Sequence, residues 1–186
     1  MGAAAAVAAV LSVCPEMTEV SPEQVEAGDP TTPPLRLVEL AHHHEERVRS
    51  AVASNPAAPS LVLQRLARRH WERVANNPAL PLLLLSEPGW FGQLDEPTLE
   101  VILCAPATPP AWWPLFATHP VSVFIAIEKK RVDILRVLLD AGADPHATRD
   151  LYVDGDVHTF STLEVATAWN LPEALPLLLA AGASPS

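Results

Sequence analysis

The sequence predicts an all-α fold, a helical-repeat solenoid of short stacked helices, with one short β-hairpin finger at 150–160. Three observations predict it. Proline supplies 20 of the 186 residues, about twice its average share of roughly 5%, which excludes long uninterrupted helices, coiled coils and central strands from most of the chain. Hydrophobic residues make up 49%, enough to bury a core and more than proline-rich disordered chains carry. Two short patterns also recur, one before and one after residue 121. Repetition of that kind marks units that bury their apolar faces by stacking on one another.

Residues 1–35 hold five acids and no base. Over 15–35 prolines and polar residues follow one another without an apolar period, so a disordered acidic, proline-rich leader is expected. The alanine- and valine-rich start up to Cys14 lacks the basic region that opens a signal peptide, since the first basic residue is Arg36. Val13 before Cys14 makes a poor lipidation box, and Ala6 stands where N-myristoylation wants serine or threonine. No stretch approaches the ~20 apolar residues of a membrane span. A soluble, cytoplasmic protein without membrane partners is expected.

From Arg36 the first repeat takes over. Val52-Ala53-Ser54-Asn55-Pro56-Ala57-Ala58-Pro59 recurs 22 residues later as Val74-Ala75-Asn76-Asn77-Pro78-Ala79-Leu80-Pro81, with looser copies at Ile102 to Pro109 and Phe116 to Pro120. A residue before proline is pushed out of the helical region, so Asn55 and Asn77 end one short helix. Pro59 and Pro81 open the next, where a missing N–H costs nothing. Arg47-Val48-Arg49-Ser50-Ala51-Val52-Ala53-Ser54-Asn55-Pro56, continued to Leu66-Ala67, resembles the leucine-rich repeat variant (LRV) family, and the resemblance extends in degraded form over about 36–120. It implies alternating α and 3₁₀ helices. That family's iron–sulfur cluster depends on an added cysteine-rich segment that this sequence lacks, so no cofactor is carried over.

The second repeat occupies 121–186. Ile134, Leu138-Leu139 and Ala141-Gly142-Ala143-Asp144-Pro145 return 40 residues on as Ala174, Leu178-Leu179 and Ala181-Gly182-Ala183-Ser184-Pro185. Apolar residues along Val132 to Leu139 fall on one helical face, and Gly142 and Gly182 follow as left-handed caps. Both stretches resemble the ankyrin repeat. The glycine which that family places between its two helices is here Lys130 and Asn170, and the Thr-Pro-Leu-His start is Val121-Ser122-Val123-Phe124 and Ser161-Thr162-Leu163-Glu164. Pro176, four residues after Pro172, is expected to distort the last helix if Pro172 opens it. The added length lies in 150–160, where Asp154-Gly155 between Tyr152-Val153 and Asp156-Val157 predicts a tight hairpin. Two ankyrin units are fewer than stacking usually requires, so the 36–120 helices are expected to pack on them as one continuous solenoid.

Charge narrows the function further. The net charge of -10 offers no general attraction to nucleic acid. Residues 36–75 are the exception, with seven arginines against four acids. Arg65, Arg69 and Arg73 are spaced to share one helix face, joined by Arg68, and this face is the alternative, nucleic-acid-binding reading. His42-His43-His44-Glu45-Glu46 lacks the HExxH spacing, and adjacent helical residues point about 100° apart, so no metal site is assigned. Asp150, Asp154 and Asp156 do not match a calcium loop. Cys14 and Cys104 stand far apart without metal-ligand spacing. No phosphate loop or nucleophile motif is present, and no catalytic residue is assigned.

The expected function is therefore that of a non-catalytic protein-binding module. The ankyrin resemblance implies recognition through the inner helices and the finger, hence through Tyr152, Asp154, Asp156, His158, Trp169 and Lys129. Arginine outnumbers lysine ten to two, a composition that suggests a bacterial source, and the acidic surface suits a basic target, as an inhibitor or immunity-type partner would.

Overall fold

The computed structural model describes residues 20–153 and 155–184. Among them the chain is helical apart from one antiparallel hairpin. The α-helices are α1 (Pro22–Gly28), α2 (Pro34–Leu40), α3 (Glu46–Ser54), α4 (Ser60–Ala75), α5 (Leu80–Ser86), α6 (Glu96–Cys104), α7 (Ser122–Glu128), α8 (Val132–Asp140), α9 (Thr162–Ala168) and α10 (Ala174–Ala180). Two 3₁₀ stretches, Phe91–Gln93 and Pro110–Thr118, flank α6, and strands β1 (Thr148–Val153) and β2 (Asp156–Ser161) form the finger.

Proline sets these lengths. It occupies the first or second position of α1, α2, α5, α6 and the Pro110–Thr118 helix, where its ring fits and no N–H is needed. Helix α4 is the long exception at 16 residues, and it is two helices end to end: His70 between them has φ -125° and ψ 30°.

The asparagine before each proline does more than end a helix. Asn55 donates from Nδ2 to the carbonyls of Ala27 and Asp29, both at 2.8 Å. Asn77 donates in the same way to Ala53 and Asn55, both at 2.9 Å. Each Oδ1 accepts the N–H two residues on, from Ala57 and Ala79. One buried side chain thus closes its own turn and satisfies helix-end carbonyls of the preceding unit. His119 repeats the device in the degraded copy. Its Nε2 lies 3.1 Å from the Leu94 carbonyl and its Nδ1 accepts from Val121 N at 3.3 Å, which puts the ring proton on Nε2.

This ladder corrects the leader expected over 1–35 for its second part; residues 1–19 lie outside the described residues. Residues 20–35 are folded: Ser21 caps α1 by accepting from Gln24 N, Ala27 is fully buried, and Arg36 pairs with Glu26 at 2.8 Å. The segment Asp29-Pro30-Thr31-Thr32-Pro33-Pro34, followed by Leu37 and Leu40-Ala41, is a further copy of Asn55 to Ala67 at a 26-residue offset. Asp29 replaces the asparagine, and Thr31 donates to its Oδ1 at 2.8 Å. The aspartate disguises the copy but suits its place, because only the accepting half of the asparagine's role is used there.

In 121–184 the two units share one set of backbone bonds. Arg131 N reaches Ala126 O and Ala143 N reaches Leu138 O. Leu171 N to Ala166 O and Ala183 N to Leu178 O repeat them 40 residues on. Gly142 (φ +89°) and Gly182 (φ +104°) take the left-handed conformation, and so do Lys130 (φ 55°) and Asn170 (φ 50°). A lysine in that region costs about 1–2 kcal/mol, partly offset by the extra freedom glycine has when unfolded. Lys130→Gly is therefore expected to stabilise by about 0.5–1 kcal/mol, raising the Tm by roughly 1–4 °C in thermal unfolding, and Asn170→Gly by less. The expected distortion at Pro176 does not occur. Helix α10 starts at Ala174 rather than Pro172, so Pro176 falls in its first turn.

Buried apolar residues from Ala27 to Ala183 form one core cluster. Helix α7 is enclosed over Ser122 to Ile127, with α6, α8, α9 and the Pro110–Thr118 helix packed on it.

His70, at the kink, is buried with Nε2 unpartnered. Burial holds its pKa below the ordinary 6.5; Glu46 opposes the shift while Arg49, Arg69 and Arg73 reinforce it. The unfolded chain thus takes up a proton that the fold refuses, so stability is full above pH 6.5 and falls as the pH drops toward the folded value. His70→Leu should remove that component of the decline, measured by urea unfolding at pH 5 to 8.

Candidate functional site

The finger is built by alternation and one turn. Six register pairs run from Thr148 opposite Ser161 to Val153 opposite Asp156, and Gly155, between the strands, has φ +95°. Because side chains alternate across a strand, Arg149 and Leu151 share one face with Phe160 and His158. Asp150 and Tyr152 share the other with Thr159 and Val157.

The first face is anchored. Arg149 pairs with Glu128 at the end of α7 at 2.7 Å, and also with Glu96 at the start of α6. It thereby ties the finger to both halves of the chain. Burial pushes the Glu128 carboxyl above its usual range, against the pull of the Arg149 guanidinium. The second face meets solvent. Tyr152 is 76% exposed and Val157, directly across the ladder, 61%, while Thr159 donates to Asp150 at 2.6 Å and stiffens the pair beside them. An aromatic beside a β-branched residue, held on a two-stranded ribbon, is an apolar contact patch with little side-chain entropy left to lose.

The other expected site residues divide. Asp156 and His158 are exposed on β2, the His158 ring 6.3 Å from Phe160. Asp154 lies outside the described residues. Trp169 is the C-cap of α9 and 46% exposed. Ser161 ends β2 and caps α9 through a reciprocal bond set with Glu164, so Trp169 sits about 10 Å along that helix from the finger's base. Lys129 occupies the matching position on α7 but is not free: it pairs with Glu100 of α6, which raises its pKa. Val157 and Arg149 were not among the expected residues. The register of an Asp154-Gly155 turn names Val157 as Tyr152's neighbour, whereas the carboxylates meeting Arg149 come from distant segments.

The basic face is not one stripe. The kink at His70 separates Arg65, Arg68 and Arg69 from Arg73. All four are exposed and make no ion pair among the described residues. Arg68 and Arg69 open on a cleft of about 580 Å³ beside Val101. Arg73 and Arg47 line another of about 1020 Å³ that Glu45 and Glu46 share.

Residues 42–45 lie between α2 and α3, outside any helix, so the helical geometry invoked for the histidines does not hold there. Ligand atoms of His43, His44 and Glu45 lie within 4.8 Å of one another, and His43 Nδ1 accepts from Glu45 N at 3.3 Å. Cys104 is half-buried with its thiol pushed up by burial; Cys14 lies outside the described residues. Trp112 packs edge-on against Trp71 at 6.2 Å, and the Arg131 guanidinium lies 5.6 Å over Trp113. Both tryptophans belong to the packing.

Comparison of the chain with protein-family models, curated proteins and solved structures finds no match. No helix among the described residues is long and apolar enough to cross a membrane.

Proposed function

We propose that the chain is a non-catalytic protein–protein interaction module: a solenoid in which LRV-like helices cap two ankyrin-like units and present a finger to a partner. Two series of bonds support the stacked arrangement. The asparagine contacts recur at Asn55 and Asn77, and the helix-end bonds at Arg131 and Ala143 recur at Leu171 and Ala183. The observation that carries the function is the Tyr152–Val157 pair, exposed on a ribbon whose opposite face is pinned by Arg149. Evolution seldom leaves two apolar side chains together on a rigid projection without a contact to make. Asp150 and Asp156 on the same ribbon and the net charge of -10 suit a basic partner, and an inhibitor or immunity-type complex fits that chemistry.

The test is comparative capture from the native cell. Wild type, Tyr152→Ala and Val157→Ser serve as baits, and retained proteins are identified by mass spectrometry. A specific partner should be lost or reduced at least tenfold with either substitution, while the melting temperature stays within about 2 °C, as expected for exposed sites. Retention of every partner by both variants would exclude the finger.

A further inference from the structure

The strongest feature outside the finger is the pair of unpaired guanidiniums beside an apolar wall. We infer that the cleft between α4 and α6 binds an acidic peptide segment, with a carboxylate on Arg68 and Arg69 and the adjoining apolar side chain on the α6 wall.

On α4, Arg68 and Arg69 are exposed and have no ion-pair partner among the described residues; Glu72 is the one carboxylate lining the cleft. On α6, Glu96 and Glu100 are one turn apart and already engaged, Glu96 by Arg149 and Glu100 by Lys129. Those two acids therefore face the ankyrin-like half, and the cleft side of α6 is left apolar. Val101 is 43% exposed there, and Ala105, Pro106 and Ala107 continue the wall. The floor is rigid: Trp71 is buried, and its indole N–H donates to Thr108 Oγ1 at 2.6 Å, while Thr108 donates in turn to the Ile102 carbonyl.

Two adjacent cations facing a small apolar wall match an Asp or Glu beside an aliphatic residue. The carboxylate gains charge-assisted hydrogen bonds of the kind arginine makes best. A nucleic-acid strand fits less well. It would need a continuous cationic track with exposed aromatic platforms, but Trp71 is enclosed, Arg65 lines neither cleft, and Arg47 and Arg73 share theirs with Glu45 and Glu46. This cleft is independent of the finger.

A random 12-residue display library selected on the immobilised full chain tests the inference. Enriched peptides should place Asp or Glu next to Leu, Ile, Val or Met. Their affinity should fall at least tenfold in Arg68→Glu/Arg69→Glu and in Val101→Asp, weaken as salt rises from 50 to 300 mM, and change less than twofold in Arg73→Glu. Unchanged melting of each variant keeps the comparison valid. The proposal is overturned by three results: no enrichment, enrichment without acids, or acidic peptides indifferent to the double reversal. Binding lost in Tyr152→Ala but kept in Arg68→Glu/Arg69→Glu would belong to the finger and also overturn it. Retention of a twelve-residue thymidine oligonucleotide, abolished by the double reversal and unaccompanied by peptide enrichment, would assign the cleft to nucleic acid instead.

Discussion

Asn77→Ala is expected to cost about 3–5 kcal/mol, and Asn55→Ala, which strips three equivalent backbone partners, a similar amount. Asn77 is 2% exposed and serves three backbone groups: the carbonyls of Ala53 and Asn55 and the N–H of Ala79. Truncation leaves all three without a side-chain partner, at about 1–3 kcal/mol for each buried group left unpaired. Against a typical stability of about 5–15 kcal/mol this is near collapse, and the Tm should fall by roughly 10 °C or more. Asn77→Asp should be at least as damaging, because it turns an acceptor toward two carbonyls and buries a charge. Asp29→Asn is the control. Asp29 accepts from Thr31 N and Oγ1 and donates to nothing, and it is exposed, so the change should leave the Tm nearly unchanged. Circular-dichroism melting of the three variants decides. A loss for Asn77→Ala no larger than that for Asp29→Asn would mean that the ladder contributes nothing to the fold.

The same residues explain what could be read from the sequence. Asn55-Pro56 and Asn77-Pro78 announce helix ends because proline acts on its neighbour locally, and Gly142 and Gly182 announce theirs because only glycine takes positive φ without strain. The dipeptide Asp154-Gly155 in the sequence predicts a hairpin register from two residues. Asp29 was hidden by a substitution that is neutral in its own position, since the requirement for an amide comes from the unit before it. Pro172 misled for a related reason: two prolines compete to open one helix, and the backbone bond from Leu175 N to Pro172 O belongs to the turn that postpones the start to Ala174. The site was less legible than the fold. Tyr152 and Trp169 can be placed by local pattern, but whether Lys129 is available depends on Glu100, 29 residues away in sequence, and the anchoring of the finger depends on Glu96. Charge partners brought together by tertiary packing leave no local mark.

That anchoring leads to the second large effect. Arg149→Met should destabilise by about 2 kcal/mol at neutral pH and loosen the finger without unfolding it. The Arg149 side chain is 19% exposed, Glu128 21% and Glu96 39%. Removing the cation leaves Glu128 half-buried beside Glu96 and Glu100 with only Lys129 to offset them, a situation that costs about 3–5 kcal/mol in full burial and less here because solvent screens Glu96. The pH dependence separates this cause from lost packing. The Glu128 pKa already lies above the ordinary 4.5, with burial raising it and Arg149 lowering it. A carboxyl raised in the fold binds its proton more tightly there than in the unfolded chain. Its ionisation therefore opposes folding, by nothing below about pH 4.5 and by the full amount above the folded pKa. Without Arg149 the folded value climbs further, so the variant's deficit should be greatest near pH 7.5 and shrink as the pH falls toward 4.5. Glu128→Gln added to Arg149→Met should recover much of the neutral-pH loss, since the amide can stay buried without a counter-ion. Urea unfolding across that range measures both. Little or no deficit at any pH would mean that Arg149 holds the finger by its aliphatic stem, which methionine largely retains, rather than by its charge. In that case partner capture through Tyr152 should survive the substitution, whereas a charge-anchored finger should lose affinity along with stability because it must be re-ordered on binding.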